Sequence, residues 1–107
     1  MIQVIFSRNK ETHEYSLSMN GHAGYSDKGN DIVCASASTL AYTLWGYLEN
    51  CINVTDIDTV ERSGEMEISC TGDKKVVKTA FEMAVIGFLQ LEKAYPQCIS
   101  VDTSEFF

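Results

Sequence analysis

A histidine and a cysteine flank a glycine-containing loop in the first third of the chain. His22 follows a predicted strand directly, and Cys34 falls within the first turn of a predicted helix. Free backbone N–H groups and the partial positive charge at a helix N-terminus favour a thiolate over a thiol. A neighbouring imidazole can accept the thiol proton and later donate it to a leaving amine. The pair therefore predicts a thiol hydrolase.

The start of the predicted helix adds further candidates to this site. Asp31 is the predicted N-cap, with Asn30 as the alternative; with Asp31 as the cap, Cys34 occupies the third helical position. The helix dipole contributes roughly 0.3–1 kcal/mol at an exposed site, and His22 as an imidazolium would have to supply the remaining stabilisation of the thiolate. Unpaired backbone N–H groups around Cys34 and Ala35 are candidate oxyanion donors. Ser38 lies one turn later on the same helix face, where it can hydrogen-bond the thiolate or a substrate group.

Each of these residues also has a less specific interpretation. The glycine loop can be a tight connection, and capping the helix is a simpler role for Asp31 than orienting the histidine. The other three cysteines are interpreted as small buried apolar residues, and His13 as a solvated loop residue. From the residues alone, catalysis and a purely structural role both remain open for Cys34 and His22.

Composition and charge exclude several classes of protein. At 107 residues the chain predicts one domain, 1–107, that folds without metals or disulfides. A formal net charge of −7 argues against direct nucleic-acid binding and favours a cationic partner or simple solubility. No apolar run approaches the roughly 20 residues that span a bilayer, and the first residues lack the features of a signal peptide.

The spacing of the cysteines indicates a reducing compartment. No two of the four are separated by only two residues, and neither histidine lies at zinc-ligand spacing from them. A chain without an export signal is expected to be cytoplasmic, where thiols stay reduced. We therefore expect neither a disulfide nor a metal site, and no other cofactor.

Hydrophobic periodicity predicts the elements that position the site. Two strands with alternating apolar residues cover about residues 2–7 and 15–20, and a loop from Gly21 to Asn30 separates them from the helix. That helix runs from Ile32 to about Cys51, with one predicted buried stripe of Val33, Ala37, Leu40, Leu44 and Leu48.

The second half repeats the same pattern. Two strands over Asp56–Val60 and Glu65–Cys70 are joined by a turn through Ser63-Gly64, and a helix then ends at Pro96. A short strand from Cys98 to Val101 follows. The predicted fold is α+β, a small single-domain sheet of about five strands in ββα-ββα-β order, with both helices packed on one face.

The outer face of the first helix is uncharged. Ser36, Thr39, Thr43 and Gly46 are neutral, and the first charge is at Glu49. A helix that is neutral on all sides is usually covered on more than one side. In so small a chain a second copy could provide that cover, which favours a homodimer.

The residues around the pair also resemble a known signature. The pattern Gly21-His22-Ala23, then Gly29-x-Asp31-Ile32-Val33-Cys34-Ala35-x-x-Ser38, resembles the ribosomal-processing cysteine protease family of the Prp type. Length and element order are similar to that family along essentially the whole chain. Ser36 and Ala37 stand where the family usually has Ala and Val-like residues, and because both are small we expect repacking without loss of chemistry.

The resemblance implies a specific reaction. Such enzymes remove a short N-terminal extension from a large-subunit ribosomal protein, in bacteria that make it as a precursor, and they form homodimers. Cys34 would be the nucleophile and His22 the general base, with the loop Gly21–Asn30 as a lid over the peptide. The same resemblance, together with position, assigns supporting or substrate-binding roles to Asp31, Ser38, Gly21, Ala23, Gly29 and Ala35.

Two other functions are compatible with the same residues, and the last two residues of the chain are apolar. The same residues would suit another thiol enzyme, such as an amidase or a peroxide-reacting protein, and the chain could also be a ribosome-associated binding or assembly module without proteolytic activity. The chain ends in Phe106-Phe107, which are costly to expose to water. Either they occupy a neighbouring substrate groove, or they pack on their own sheet or fray.

Overall fold

Five strands and two helices make up the fold in the part of the chain that the structure describes. The computed structural model describes residues 1–26, 31–52, 54, 56–72 and 75–107. The elements are β1 (Ile2–Asn9), β2 (Glu14–Asn20), α1 (Ile32–Asn50), β3 (Asp58–Arg62), β4 (Glu65–Thr71), α2 (Lys75–Ala94) and β5 (Ile99–Glu105). The predicted ββα-ββα-β order is confirmed.

The strands form one mixed sheet in the order β3-β4-β2-β1-β5. β1 pairs with β2, β2 with β4, and β3 with β4 in antiparallel register, whereas β5 runs parallel to β1. The two hairpins meet through β2 and β4, and α2 carries the chain across to the far edge beside β1. The α+β fold class is therefore confirmed.

One face of this sheet carries the core. Alternate residues of β1, β2 and β4 point to that face and are buried, as the period of two predicts. They form a single apolar cluster with the buried stripes of α1 and α2. Both helices consequently pack on the same face. The observed stripe of α1 contains Ala41 where the sequence predicted Leu40, which is only partly buried.

The strands of the second half differ from their predicted bounds. β3 begins at Asp58, because Asp56 leaves the strand and its carboxylate accepts a hydrogen bond from the Thr71 N–H at 3.0 Å. β5 continues to Glu105 because the edge of β1 offers it a parallel partner as far as Ser7, with a register shift between Ile5 and Ser7. The Glu92 side chain of α2 ties this strand to the helix, since it accepts a hydrogen bond from the Val101 N–H at 2.8 Å.

The two terminal phenylalanines have different environments. Phe106 is 2% exposed and packs in the core, with its ring centroid 6.0 Å from that of Phe6 and 6.2 Å from that of Tyr15. Phe107 is 69% exposed. The suggestion that this tail occupies a neighbouring groove is wrong for Phe106, which completes the protein's own core.

All four cysteines are free thiols, in three kinds of environment. Cys70 lies in the core, where burial above all, and then the charge of Asp56, raises its pKa to about 11. Cys51 was expected to be buried but is exposed, because it is the C-cap residue of α1 and lies beyond the buried stripe. Cys34 and Cys98 are partly buried. No helix within the described ranges is both long and apolar enough to cross a membrane.

Candidate active site

A cavity of about 840 Å³ lies where three segments meet: the chain after β2, the start of α1 and the turn between β3 and β4. His22 and Cys34 both line it. The structure thus brings together the two residues that the sequence singled out. Of the expected supporting residues, four also line this cavity: Gly21, Asp31, Ala35 and Ser38.

Asp31 connects the loop to the beginning of α1. Its Oδ1 accepts hydrogen bonds from the N–H groups of Val33 at 2.9 Å and Cys34 at 3.0 Å, which makes it the N-cap. Its Oδ2 accepts another from the Tyr25 N–H at 3.1 Å. These hydrogen bonds hold the pKa of Asp31 below its usual value, and the bond from the Cys34 N–H has the largest effect. Burial acts in the opposite direction. An ionised carboxylate therefore binds both the loop at Tyr25 and the first turn of α1.

The cap changes one expectation about the oxyanion donors. The Cys34 N–H is already bound to the Asp31 side chain, and the Ala35 N–H donates to the Asp31 carbonyl oxygen at 3.1 Å. Neither group is free to bind a developing oxyanion in this arrangement. The expectation that they are free is wrong because the capping side chain of Asp31 occupies the Cys34 N–H, while the Ala35 N–H makes the first backbone hydrogen bond of the helix.

Ala23 provides the direct contact between the loop and the cysteine. Its N–H donates to Cys34 Sγ at 3.3 Å, and its side chain is buried in the core. A donor at the sulfur stabilises negative charge on that atom. Because Ala23 is covalently next to His22, this bond also holds the histidine segment beside the nucleophile candidate.

His22 itself is exposed and lies against the turn between β3 and β4. The backbone before it is fixed there, since the Gly21 N–H donates to the Gly64 carbonyl oxygen at 2.8 Å. Gly21 has φ +99 and Gly64 has φ +74, conformations that only glycine adopts without cost. Sequence reasoning identified Ser63-Gly64 as a turn and missed that this turn forms a wall of the site.

The rim of the cavity carries charged and aromatic side chains that the sequence did not indicate. Glu61, Arg62 and Glu65 come from β3 and β4, with Arg62 Nη1 at 3.6 Å from Glu65 Oε2. Tyr42 of α1 faces them, and a hydrogen bond to the Glu61 carboxylate raises the pKa of its phenol. The sequence showed only that polar and apolar residues alternate along each strand. That alternation does not predict which residue of α1 faces the strands.

Two of the residues considered in the sequence, Gly29 and His13, are not among the described residues that line the cavity. Gly29 and the segment 27–30 of the expected lid lie outside the residues that the structure describes. His13 is exposed and has φ 59 in the turn between β1 and β2, away from the residues that line the cavity. Within the described ranges, no group of three or more His, Cys, Asp and Glu side chains is arranged to hold a metal ion.

Comparisons with known proteins identify the family and the fold. A family model described as cysteine protease Prp matches residues 1–100. SMU.848 from Streptococcus mutans has a crystal structure with 31% identity and a TM-score of 0.76, covering 95% of this chain and 92% of that chain. No curated protein sequence gives a significant match.

Two structures of the ribosomal processing protease Prp from S. aureus share the fold. One, with a covalently linked product peptide, has 23% identity and a TM-score of 0.83. The other, with a substrate peptide, has 21% identity and a TM-score of 0.76. Each match covers 95% of this chain and 98% of the S. aureus chain. Because the family model spans nearly the whole sequence, the chain belongs to the Prp family of cysteine proteases.

Proposed function

We propose that residues 1–107 act as one protease domain that removes the N-terminal extension from the precursor of a large-subunit bacterial ribosomal protein. Cys34 is the nucleophile and His22 the general base. The observation that carries this proposal is the Ala23 N–H donated to Cys34 Sγ at 3.3 Å, because it joins the histidine segment to the cysteine within one cavity. Membership of a cysteine protease family supplies the reaction class.

The chemistry follows from the two side chains. His22 accepts the thiol proton, and Cys34 Sγ attacks the scissile carbonyl carbon. The tetrahedral intermediate collapses to a thioester as the peptide C–N bond breaks, and the imidazolium returns the proton to the leaving amine. Water, deprotonated by His22, then hydrolyses the thioester and regenerates the thiol. Ala23 N–H lowers the cost of negative charge on sulfur before the attack.

The cavity suits a peptide with both apolar and basic residues. Its inner wall includes Ile2, Met19 and Met66, which offer apolar contact to a side chain near the scissile bond. Its rim includes Glu61 and Glu65, and the chain has a net charge of −7. An acidic protein attracts the basic chain of a ribosomal protein through long-range electrostatics. The product and substrate peptides in the two S. aureus structures support a peptide substrate for this cavity.

A second copy of the chain is the proposed cover for the outer face of α1. Ser36, Thr39 and Thr43 are exposed there, and each hydroxyl donates to the carbonyl oxygen four residues earlier. These hydroxyls are thereby satisfied within the helix, which lowers the cost of burying the face. Light scattering tests the homodimer: Thr43→Glu places a charge on this face and should yield monomers, and an unchanged mass would exclude this interface.

The proposed compartment is the cytoplasm. A cysteine nucleophile works only as the free thiol or thiolate, and all four cysteines are free here. Glutathione and thioredoxin maintain that state in the cytoplasm, where ribosomal proteins are made.

Intact-mass analysis of the extended ribosomal precursor tests the proposal. The precursor is incubated with the protein and with Cys34→Ala and His22→Ala. The controls change an exposed cysteine and a second exposed histidine, both outside the cavity: Cys51→Ala, and His13→Asn, which tolerates the positive φ. One N-terminal cut that persists in both controls and disappears in both site variants is the expected result.

Other outcomes identify the alternatives. Cleavage that survives Cys34→Ala would refute the assignment of the nucleophile. An uncut precursor together with a Cys34 that iodoacetamide labels rapidly would indicate another substrate or a redox role. An uncut precursor with a slowly labelled Cys34 would indicate a binding or assembly module.

A further inference from the structure

The imidazole of His22 lies directly over one residue of the turn between β3 and β4. A Cβ atom placed on Gly64 would be 2.9 Å from His22 Nε2, 3.4 Å from Cε1 and 3.6 Å from Cδ2. All three neighbours are ring atoms of the same histidine. The space that a side chain would occupy at position 64 is therefore filled by the imidazole.

The backbone of the same residue holds the other end of the histidine segment. The Gly64 carbonyl oxygen accepts the Gly21 N–H at 2.8 Å, one residue before His22. The Arg62–Glu65 pair and the antiparallel register of β3 with β4 fix the turn on either side. A rigid hairpin end thus contacts both the ring and the preceding backbone.

We infer that Gly64 is a positioning residue for His22, an inference that rests on the proposed role of this histidine as the general base. The carbonyl oxygen sets the path of the chain into His22, and the missing side chain leaves room for the ring beside the cavity that holds Cys34. Ordinary contact begins at 3.4 Å and the nearest ring atom would be 2.9 Å away, so a methyl group at position 64 displaces the ring by at least about 0.5 Å. Misplacement of a catalytic group by about 1 Å costs roughly 10²-fold in rate.

The positive φ at position 64 also favours glycine, independently of the imidazole, and the experiment must separate these two effects. At φ +74 any side chain strains the backbone, whatever its neighbours. Gly24 offers a strain-matched comparison for thermal stability, because its φ is +69 and nothing lies within 4 Å of a Cβ placed there. Contact with the imidazole should make Gly64→Ala lower the melting temperature more than Gly24→Ala does.

Gly64→Ala should reduce kcat roughly 10- to 10²-fold while KM changes less, since a shift of about 1 Å costs roughly 10²-fold. The second readout is independent of peptide turnover: the rate at which iodoacetamide alkylates Cys34, followed by peptide mass across pH. We expect the pH profile of Gly64→Ala to move from that of the parent towards that of His22→Ala. A purely structural role for the glycine would lower the melting temperature and leave this profile in place.

A double-mutant cycle on melting temperature completes the test. The loss caused by Gly64→Ala should be smaller in a His22→Ala background, because the imidazole that the methyl group meets is gone. Equal losses in both backgrounds, or a parent-like alkylation profile in Gly64→Ala, would overturn the inference and leave the dyad standing. A parent profile identical to that of His22→Ala would overturn the dyad, and the inference with it.

Discussion

Adjacent phenylalanines at the end of the chain should differ sharply in their contribution to stability. Phe106 is 2% exposed and Phe107 is 69% exposed, although both follow β5 directly. The Phe106 ring packs edge-on against Phe6, with an interplanar angle of 73°, and also lies against Tyr15. The same substitution to alanine therefore removes core packing at one position and solvated surface at the next.

The magnitude follows from the area that Phe106 buries. A buried phenylalanine removes roughly 150–250 Å² from water, equivalent to about 4–6 kcal/mol at about 25 cal/mol per Å². That figure is an upper bound because unfolded chains already bury some of this area. Measured losses for buried Phe→Ala changes are about 3–5 kcal/mol. Phe107→Ala should change stability by no more than about 0.5 kcal/mol.

Urea unfolding followed by circular dichroism measures both variants. With a slope of about 2 kcal/mol per M, Phe106→Ala should lower the midpoint by roughly 2 M, and Phe107→Ala by less than about 0.3 M. Near-equal midpoints for the two variants would refute the assignment of Phe106 to the core. A loss confined to Phe107→Ala would mean that the two rings exchange places.

Three further predictions concern charge, thiol reactivity and helix packing. Asp31 has a lowered pKa because Cys34 and other N–H groups bind its carboxylate, so it contributes stability that is present above about pH 4 and lost as the pH falls through the lowered pKa. Asp31→Asn keeps a cap but not the charge, and its melting temperature should fall less than that of the parent between about pH 5 and pH 2; parallel curves would refute this. Iodoacetamide at about pH 8 should leave Cys70 unmodified in the native protein, since burial raises its pKa to about 11, while the exposed C-cap cysteine of α1 should react. If mass mapping finds both cysteines modified at similar rates, Cys70 is not buried. Gly46→Ala in α1 should raise the free energy of unfolding by about 0.5–1 kcal/mol, because nothing lies within 4 Å of the added methyl group. Gly87→Ala should raise it less, because its methyl group would meet a Leu side chain of α1 at 2.8 Å. Equal increases in urea unfolding would refute that contrast.

The sequence predicted the element order and the helix start because these depend on local signals. Alternation around Leu17 and Ile68 specified strands with one buried face, and Asp31 is a cap that acts within its own turn. The bounds of β3 and β5 needed information about partners. Asp58 begins β3 because Ser69 pairs with it, and Glu105 is a strand residue because β1 lies alongside.

The site shows the same division between local and distant information. Cys34 and His22 could be selected as candidates from a glycine loop followed by a helix start, the family resemblance assigned their roles, and the cavity contains both. Gly64 could not, because its contact with His22 joins residues that follow different hairpin strands, and the pairing of β2 with β4 that brings them together is not a local signal. The hydrogen bonding of the first-turn N–H groups was also missed, since the N-cap residue that marks the helix start also accepts hydrogen bonds from these groups.

The parallel pairing of β1 with β5 bears on the order in which the protein folds. Ile2 lines the cavity, and its N–H donates to the Cys98 carbonyl oxygen at 2.8 Å, from nearly the opposite end of the sequence. Contacts of such long sequence separation require a large loop to close, which slows folding. During synthesis, the hairpins and helices can form before β5 leaves the ribosome, but β1 remains an open edge until then. The wall of the cavity that Ile2 provides is therefore secured last, so a growing chain gains its complete peptide-binding surface only when β5 has been made.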